Sequence, residues 1–244
     1  MTIIYHVIGL EGCGHHGLEG VVDNIIKNRV GYVKKGHLNN VLLPTCRNSN
    51  NQDENTWFGY NVEDYLEGEN FFIYTDDSYP SGGDRETKRQ KNIGEIYRIL
   101  NRYGEVRFLY LQRNIYNTIN SHPNFDGDIL THTEVLVETK HYVESEIEKL
   151  RQAGIMVYDL NYEDIDNAVG QQIIADFIDT DLETVKASVD AHFKKSTKDY
   201  TQLLDEKTIR EMAEIIGRGL CLPHPFLARF GVSSSLDPPF LKVD

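Results

Sequence analysis

At 244 residues, with 40% hydrophobic residues and a formal net charge of −13, the sequence predicts a soluble protein able to bury a full core as one domain. The charge argues against a general binder of nucleic acid or anionic membrane, and no apolar run approaches the roughly 20 residues of a membrane span. A strand beginning at residue 3 leaves no room for a leader peptide. The cysteines Cys13, Cys46 and Cys221 form no pattern, which predicts a reducing, cytoplasmic setting.

The chain opens on Ile3 to Gly20, I-I-Y-H-V-I-G-L-E-G-C-G-H-H-G-L-E-G. Ile3, Ile4, Val7 and Ile8 read as a buried strand that breaks at Gly9 into a loop carrying Gly12 and Gly14. Leu18, Val21, Val22, Ile25 and Ile26 then recur at helical spacing. Strand, glycine loop and helix start together make an anion site, because backbone N–H groups turn toward a ligand and the helix dipole adds positive charge. Gly9 and Gly14 have Walker A spacing, but His15 and His16 stand where Lys and Ser or Thr belong, which disfavours an ATPase or kinase. A tight turn that binds nothing is the competing reading of this stretch alone.

Residues 29–60 are the least regular, with short strands predicted at Val30–Lys35 and Val41–Leu43. The polar run from Cys46 to Thr56 reads as a loop, part of a loop-rich insertion over 44–68, with Trp57, Phe58 and Tyr60 packed beside it. A second strand spans Phe71 to Thr75 and runs into Asp76, Asp77 and Ser78, where an open α/β sheet places ligands or where the same residues merely cap a turn. A helix follows over Arg85 to Arg102, buried on Ile93, Ile96, Tyr97 and Leu100, with Arg85, Lys88, Arg89 and Lys91 forming a basic face.

Val106 to Leu111 is the strongest strand and ends in Gln112 and Arg113, with Ser121 eight residues beyond Arg113. An arginine at a strand end is costly to bury unless a carboxylate or an anionic ligand pairs with it. Residues 129–153 read as a long amphipathic helix stopped by Gly154, and Ile155–Leu160 as a fourth strand leading into N-Y-E-D-I. Helices are predicted at about 165–178, 181–193 and 205–217. The alternation predicts a three-layer α/β/α fold with a central, mostly parallel sheet. The tail over 219–244 holds four of the seven prolines and reads as irregular chain. Cys13, His15 and His16 stand too close together to share a tetrahedral metal, so no metal is expected.

Three motifs in this order resemble the cytosolic-type sulfotransferases, a family with a P-loop-like α/β fold that moves a sulfuryl group from PAPS (3′-phosphoadenosine 5′-phosphosulfate). The family's first loop, K-S-G-T-T, aligns with Gly12, Cys13, Gly14, His15 and His16, with Gly17 following. L-Q-R-N-I-Y-N-T-I-N-S resembles its 3′-phosphate segment, which implies Arg113 and Ser121 on that phosphate. N-Y-E-D-I resembles its R-Y-E-D-L motif, which implies Tyr162 beside the adenine. Lys194, Lys195 and Ser196 resemble the late basic segment that closes over the 3′-phosphate. The resemblance covers about residues 1–195, motif by motif, except 29–68.

Gly12 stands where the family carries its basic residue, so Gly12→Lys is expected to raise activity if the missing cation limits the rate. Asp76 and Asp77 are the candidates for the acceptor base, Asp77 preferred, with His15 and His16 next. The resemblance thus implies a small-molecule or glycan acceptor, a hydroxyl or an amine. It leaves a homodimer open. Two alternatives stand beside it: a protein of this fold that binds a nucleotide without chemistry, and a divergent P-loop phosphotransferase.

Overall fold

A first strand buried on both faces sets the architecture. The computed structural model describes residues 2–29, 32–33, 56–57, 60–61, 72–80, 93–102, 104–121, 127–196 and 204–219. In chain order these form strand β1 (Ile3–Leu10), helix α1 (His15–Ile26), strands β2 (Tyr32–Val33), β3 (Thr56–Trp57), β4 (Tyr60–Asn61) and β5 (Phe72–Tyr79), and helix α2 (Ile93–Leu100). Strand β6 (Glu105–Gln112), helices α3 (Ile115–Ser121) and α4 (Ile129–Gln152), and strand β7 (Val157–Asn161) follow. A 3₁₀ turn at Tyr162–Asp164 leads to helices α5 (Ala168–Ile178), α6 (Leu182–His192) and α7 (Glu206–Gly219). Strands pair in the order β2-β5-β1-β6-β7, all parallel, and β3 and β4 form a separate antiparallel pair.

Alternate residues of β1 feed two cores. Ile4, Ile8 and Leu10 join Phe108 and Tyr110 of β6 against Ile93 and Ile96 of α2, Leu136, Val143 and Ile147 of α4, and Met212 of α7. Tyr5 and Val7 join Leu109 and Leu111 against Leu18, Val22 and Ile26 of α1, Phe177 of α5 and Val189 of α6. Burying a side chain such as Ile8 contributes about 1.5–3 kcal/mol, so both helix layers are held by many such terms. The result is the three-layer α/β/α fold with its parallel sheet in the middle.

Two strand limits differ from the sequence reading. The second strand continues to Tyr79, because Asp76, Asp77 and Ser78 stay in register opposite Val7, Ile8 and Gly9 of β1. The two aspartates therefore lie within β5, not in a loop beyond it. The fourth strand begins at Val157, because the Ile155 N–H donates to the Leu150 carbonyl and closes the end of α4, where Gly154 takes a positive φ of 77°. Helix α5 starts at Ala168, after the 3₁₀ turn and the Asn167 cap.

The strand predicted at Val30–Lys35 is described at Tyr32–Val33 only; Val41–Leu43, Phe58, the basic residues Arg85 to Lys91, and 220–244 lie outside the described residues, as does 44–68 apart from β3 and β4. Among the described residues, no helix is long and apolar enough to cross a membrane. After β1 the chain leaves the sheet to α1 on one face, and after β6 it leaves to α4 on the other. Such a parting of loops opens a crevice at the carboxyl ends of adjacent parallel strands. Here the loops part between β1 and β6, where the glycine loop meets the segment after Gln112.

Candidate functional site

The glycine loop folds by close approach. Cys13 N–H donates to the Leu10 carbonyl at 3.0 Å and Glu11 N–H to the Tyr79 carbonyl at 2.7 Å, which ties the loop back to β1 and β5. Gly12 has a φ of +86°, and a Cβ built there would lie 2.0 Å from Ser121 Oγ and 2.7 Å from the Thr118 carbonyl oxygen. Gly14 has a φ of +103°, and its Cβ would lie 2.4 Å from the Tyr162 ring. Glycine is the residue that tolerates both the left-handed backbone and the contact.

Helix α1 starts at Gly14 with no side-chain cap and no acidic residue in its first turn. An α-helix leaves the N–H groups of its first turn without partners in the helix, and these groups form the positive end of its dipole. The Gly17 N–H already donates to the Gly14 carbonyl at 3.0 Å, and Gly17 packs toward the Phe193 ring. His15 is buried, with Nδ1 3.4 Å from the Cys13 sulfur. His16 faces solvent beside Glu19. Burial, reinforced by the Glu11 carboxylate and opposed by Arg113, pushes the Cys13 thiol up, so it stays protonated and is no nucleophile.

Arg113 crosses to this loop. Its NH1 donates to the Gly12 carbonyl at 3.0 Å, and its guanidinium lies 4.5 Å from the centre of the Tyr162 ring. Its Nε is buried with no hydrogen-bond partner among the described residues. Ser121 Oγ donates to the Thr118 carbonyl at 2.7 Å, directly beside Gly12. Tyr162 is enclosed by Arg113, Gly14 and Phe193, and its hydroxyl accepts the Ser196 N–H at 3.1 Å. Lys195 donates to the Glu163 carbonyl at 2.6 Å and to Asp166 at 2.9 Å, whereas Lys194 is exposed.

The structure thus brings Gly12, Gly14, Arg113, Ser121 and Tyr162 into mutual contact, with Cys13 and His15 flanking Gly14 and Ser196 on the Tyr162 hydroxyl. His16 and Lys194 are exposed and take no part in these contacts. On the second strand, Tyr74 donates its hydroxyl to Asp76 at 3.4 Å, and burial, then the Asp76 charge, push the Tyr74 phenol up. Asp77 pairs along the backbone with Ile8, and its side chain lies outside the described residues. Among the described residues, no group of three or more His, Cys, Asp and Glu side chains could hold a metal ion.

Position 12 cannot take the lysine of the resembling loop. Its φ and the 2.0 Å approach to Ser121 mean that Gly12→Lys would displace Ser121 before it supplied a charge, so the expected gain of activity has no geometric basis.

Sequence reasoning also missed Asn114 and Glu163. Asn114 caps α3, its Oδ1 accepting the N–H of Tyr116 and of Asn117, and its own N–H donates to Glu163 Oε1 at 3.2 Å. Asn just before the apolar pattern of Ile115 and Ile119 is an N-cap signal that could have located the first of these. Nothing in the sequence marks the second. No protein-family model matches the chain, and a comparison with characterised proteins finds no match either.

Proposed function

We propose that the chain is a sulfotransferase that moves a sulfuryl group from PAPS to a hydroxyl or amine of a small molecule or glycan, in a cytoplasmic setting. The observation that carries this reading is the convergence of Arg113 and Ser121, from the end of β6 and the end of α3, on Gly12 of the glycine loop. The orphaned Arg113 Nε suits a further acceptor, and an arginine fork suits phosphate oxygens. In this reading Arg113 and Ser121 hold the 3′-phosphate, residues 12–17 hold the 5′ side, and Lys194 and Lys195 lie at the rim. Arg113 and Gly14 pack against the Tyr162 ring, so its contact to an adenine falls to the ring edge and the hydroxyl.

When bound, PAPS supplies the transferable group: the acceptor atom bonds to sulfur as the bridging S–O bond breaks, PAP (3′-phosphoadenosine 5′-phosphate) departs, and the acceptor proton needs a base. Asp77 is the proposed base, with Asp76 next to it on β5 and His15 and His16 in reserve. Asp77→Asn lowers kcat by about 10²–10⁴-fold and spares PAP binding. If the Asp76→Asn and Asp77→Asn variants both turn over PAPS at the wild-type rate, the base lies elsewhere.

The reading is tested by thermal unfolding with PAP and with ADP. PAP at a hundredfold excess over Kd stabilises the fold by about 2.7 kcal/mol, and ADP, lacking the 3′-phosphate, stabilises it less. No shift at millimolar PAP overturns the assignment. One observation favours a second reading, binding without transfer: no cation can stand at position 12. Tight PAP binding with no transfer from PAPS to a broad acceptor panel would select it.

A further inference from the structure

We propose that Glu163 is a positioning residue that sets Arg113 and Ser121 against the glycine loop, a role that rests on the PAPS reading above. Its carboxylate oxygen Oε1 accepts the main-chain N–H of Asn114 at 3.2 Å, so it fixes the residue next to Arg113. Asn114 in turn starts α3: its side chain accepts Tyr116 N–H at 3.0 Å, and its carbonyl accepts both Thr118 N–H at 2.9 Å and Thr118 Oγ1 at 3.0 Å. The Thr118 carbonyl then accepts the Ser121 hydroxyl at 2.7 Å, and these two groups lie directly against Gly12. The main chain of Glu163 is held separately, its carbonyl accepting Lys195 Nζ at 2.6 Å.

One residue therefore touches two of the three segments that meet the loop and itself belongs to the third. A carboxylate beside an anion site opposes the anion by its charge, so its presence there is explained by the acceptor oxygen it offers. The carbonyl oxygen of glutamine can make the same bond without the charge. That separates geometry from electrostatics.

The experiment compares wild type, Glu163→Ala and Glu163→Gln by PAP titration and by amide exchange of Asn114. Asp181→Ala, which loses the cap of α6 away from the loop, controls for general destabilisation. The expected result is a loss of PAP affinity of about tenfold in E163A, affinity within about twofold in E163Q and the control, and faster Asn114 exchange in E163A alone. Wild-type affinity in E163A, or equal losses in E163A and E163Q, overturns the proposal. So does an equal loss in the Asp181→Ala control. Should E163A not fold, Glu163→Asp, one methylene shorter, takes its place with the same expectations. Should the wild type not bind PAP, the sulfotransferase reading fails by itself. Asn114 exchange then decides the positioning role: faster in E163A only sustains it, and unchanged exchange ends it.

Discussion

Helices α1 and α5 begin in opposite ways. At α5 the Asn167 side chain accepts the N–H groups of Val169 and Gly170, and α4 and α6 start likewise on Asp128 and Asp181. At α1 the cap is Gly14, in the left-handed region, with no side chain to accept anything. Those three helices use a side chain to satisfy their first turn; α1 has no such cap, and Arg113 and Ser121 lie against Gly12 of the loop that precedes it. A helix start is thus either closed by a side chain or left uncapped, and this protein has both kinds within one layer.

Giving the open start a side chain should break the comparison most severely. Gly14→Ala places a Cβ against the Tyr162 ring at a φ of +103°. A non-glycine residue there costs about 1–3 kcal/mol, and chemical denaturation should show at least that loss together with loss of PAP binding. Retained stability and binding would mean that the loop relaxes freely.

Arg113→Ala comes next, removing the cation that bridges loop and strand end. Losing a charged hydrogen bond to a phosphate costs about 1.5–3 kcal/mol, roughly 10- to 150-fold in PAP affinity by calorimetry. Lys194→Ala, on an exposed side chain, should cost less than Arg113→Ala. Equal losses, or a larger one at Lys194, would relocate the 3′-phosphate. On the closed side, Asn167→Ala should cost about 1 kcal/mol, seen as a fall in Tm of roughly 2–4 °C, with PAP affinity unchanged.

The smallest effect concerns acid. Thr131 holds the Asp128 carboxyl below its ordinary value, its backbone N–H foremost and then its hydroxyl. Thr184, its hydroxyl foremost and then its backbone N–H, lowers Asp181, and Thr208, backbone N–H first, lowers Asp205. A carboxyl depressed in the folded state stabilises it fully above the unfolded value of about 3.9, and that contribution is lost as pH falls through the lower folded value. Stability should therefore decline below about pH 4, and replacing all three aspartates by asparagine should flatten that decline. An unchanged acid limb in the triple variant would show that the caps do not titrate with folding.

Much of the frame was legible because burial on both faces writes itself into β1 and β6 as near-continuous apolar runs, and because Gly154 stops α4. The end of β5 was not legible. Asp76 and Asp77 are poor strand formers taken alone, and pairing with Val7 and Ile8 overrides that preference. At the site, Arg113 stood out by its place at a strand end, and Ser121 and Tyr162 through the motifs that resemble the family's. The reason for Gly12 did not, because the neighbour that excludes a side chain is 109 positions away at Ser121. Glu163 stayed hidden likewise, since its bond to Asn114 joins residues 49 positions apart.

The strand order carries a consequence for synthesis. β1 is central, yet its partners β5 and β6 lie at Phe72–Tyr79 and Glu105–Gln112. At roughly 5–20 residues per second, the ribosome finishes β6 some 5–20 s after β1. Throughout that interval Ile4, Val7 and Ile8 lack β6, for roughly the first two-thirds of it they lack β5 as well, and the glycine loop lacks Ser121, Tyr162 and Phe193 to shape it. The segment made before its partners is among the last to take its final form, and a nascent chain halted before residue 105 presents an apolar strand with one edge unpaired.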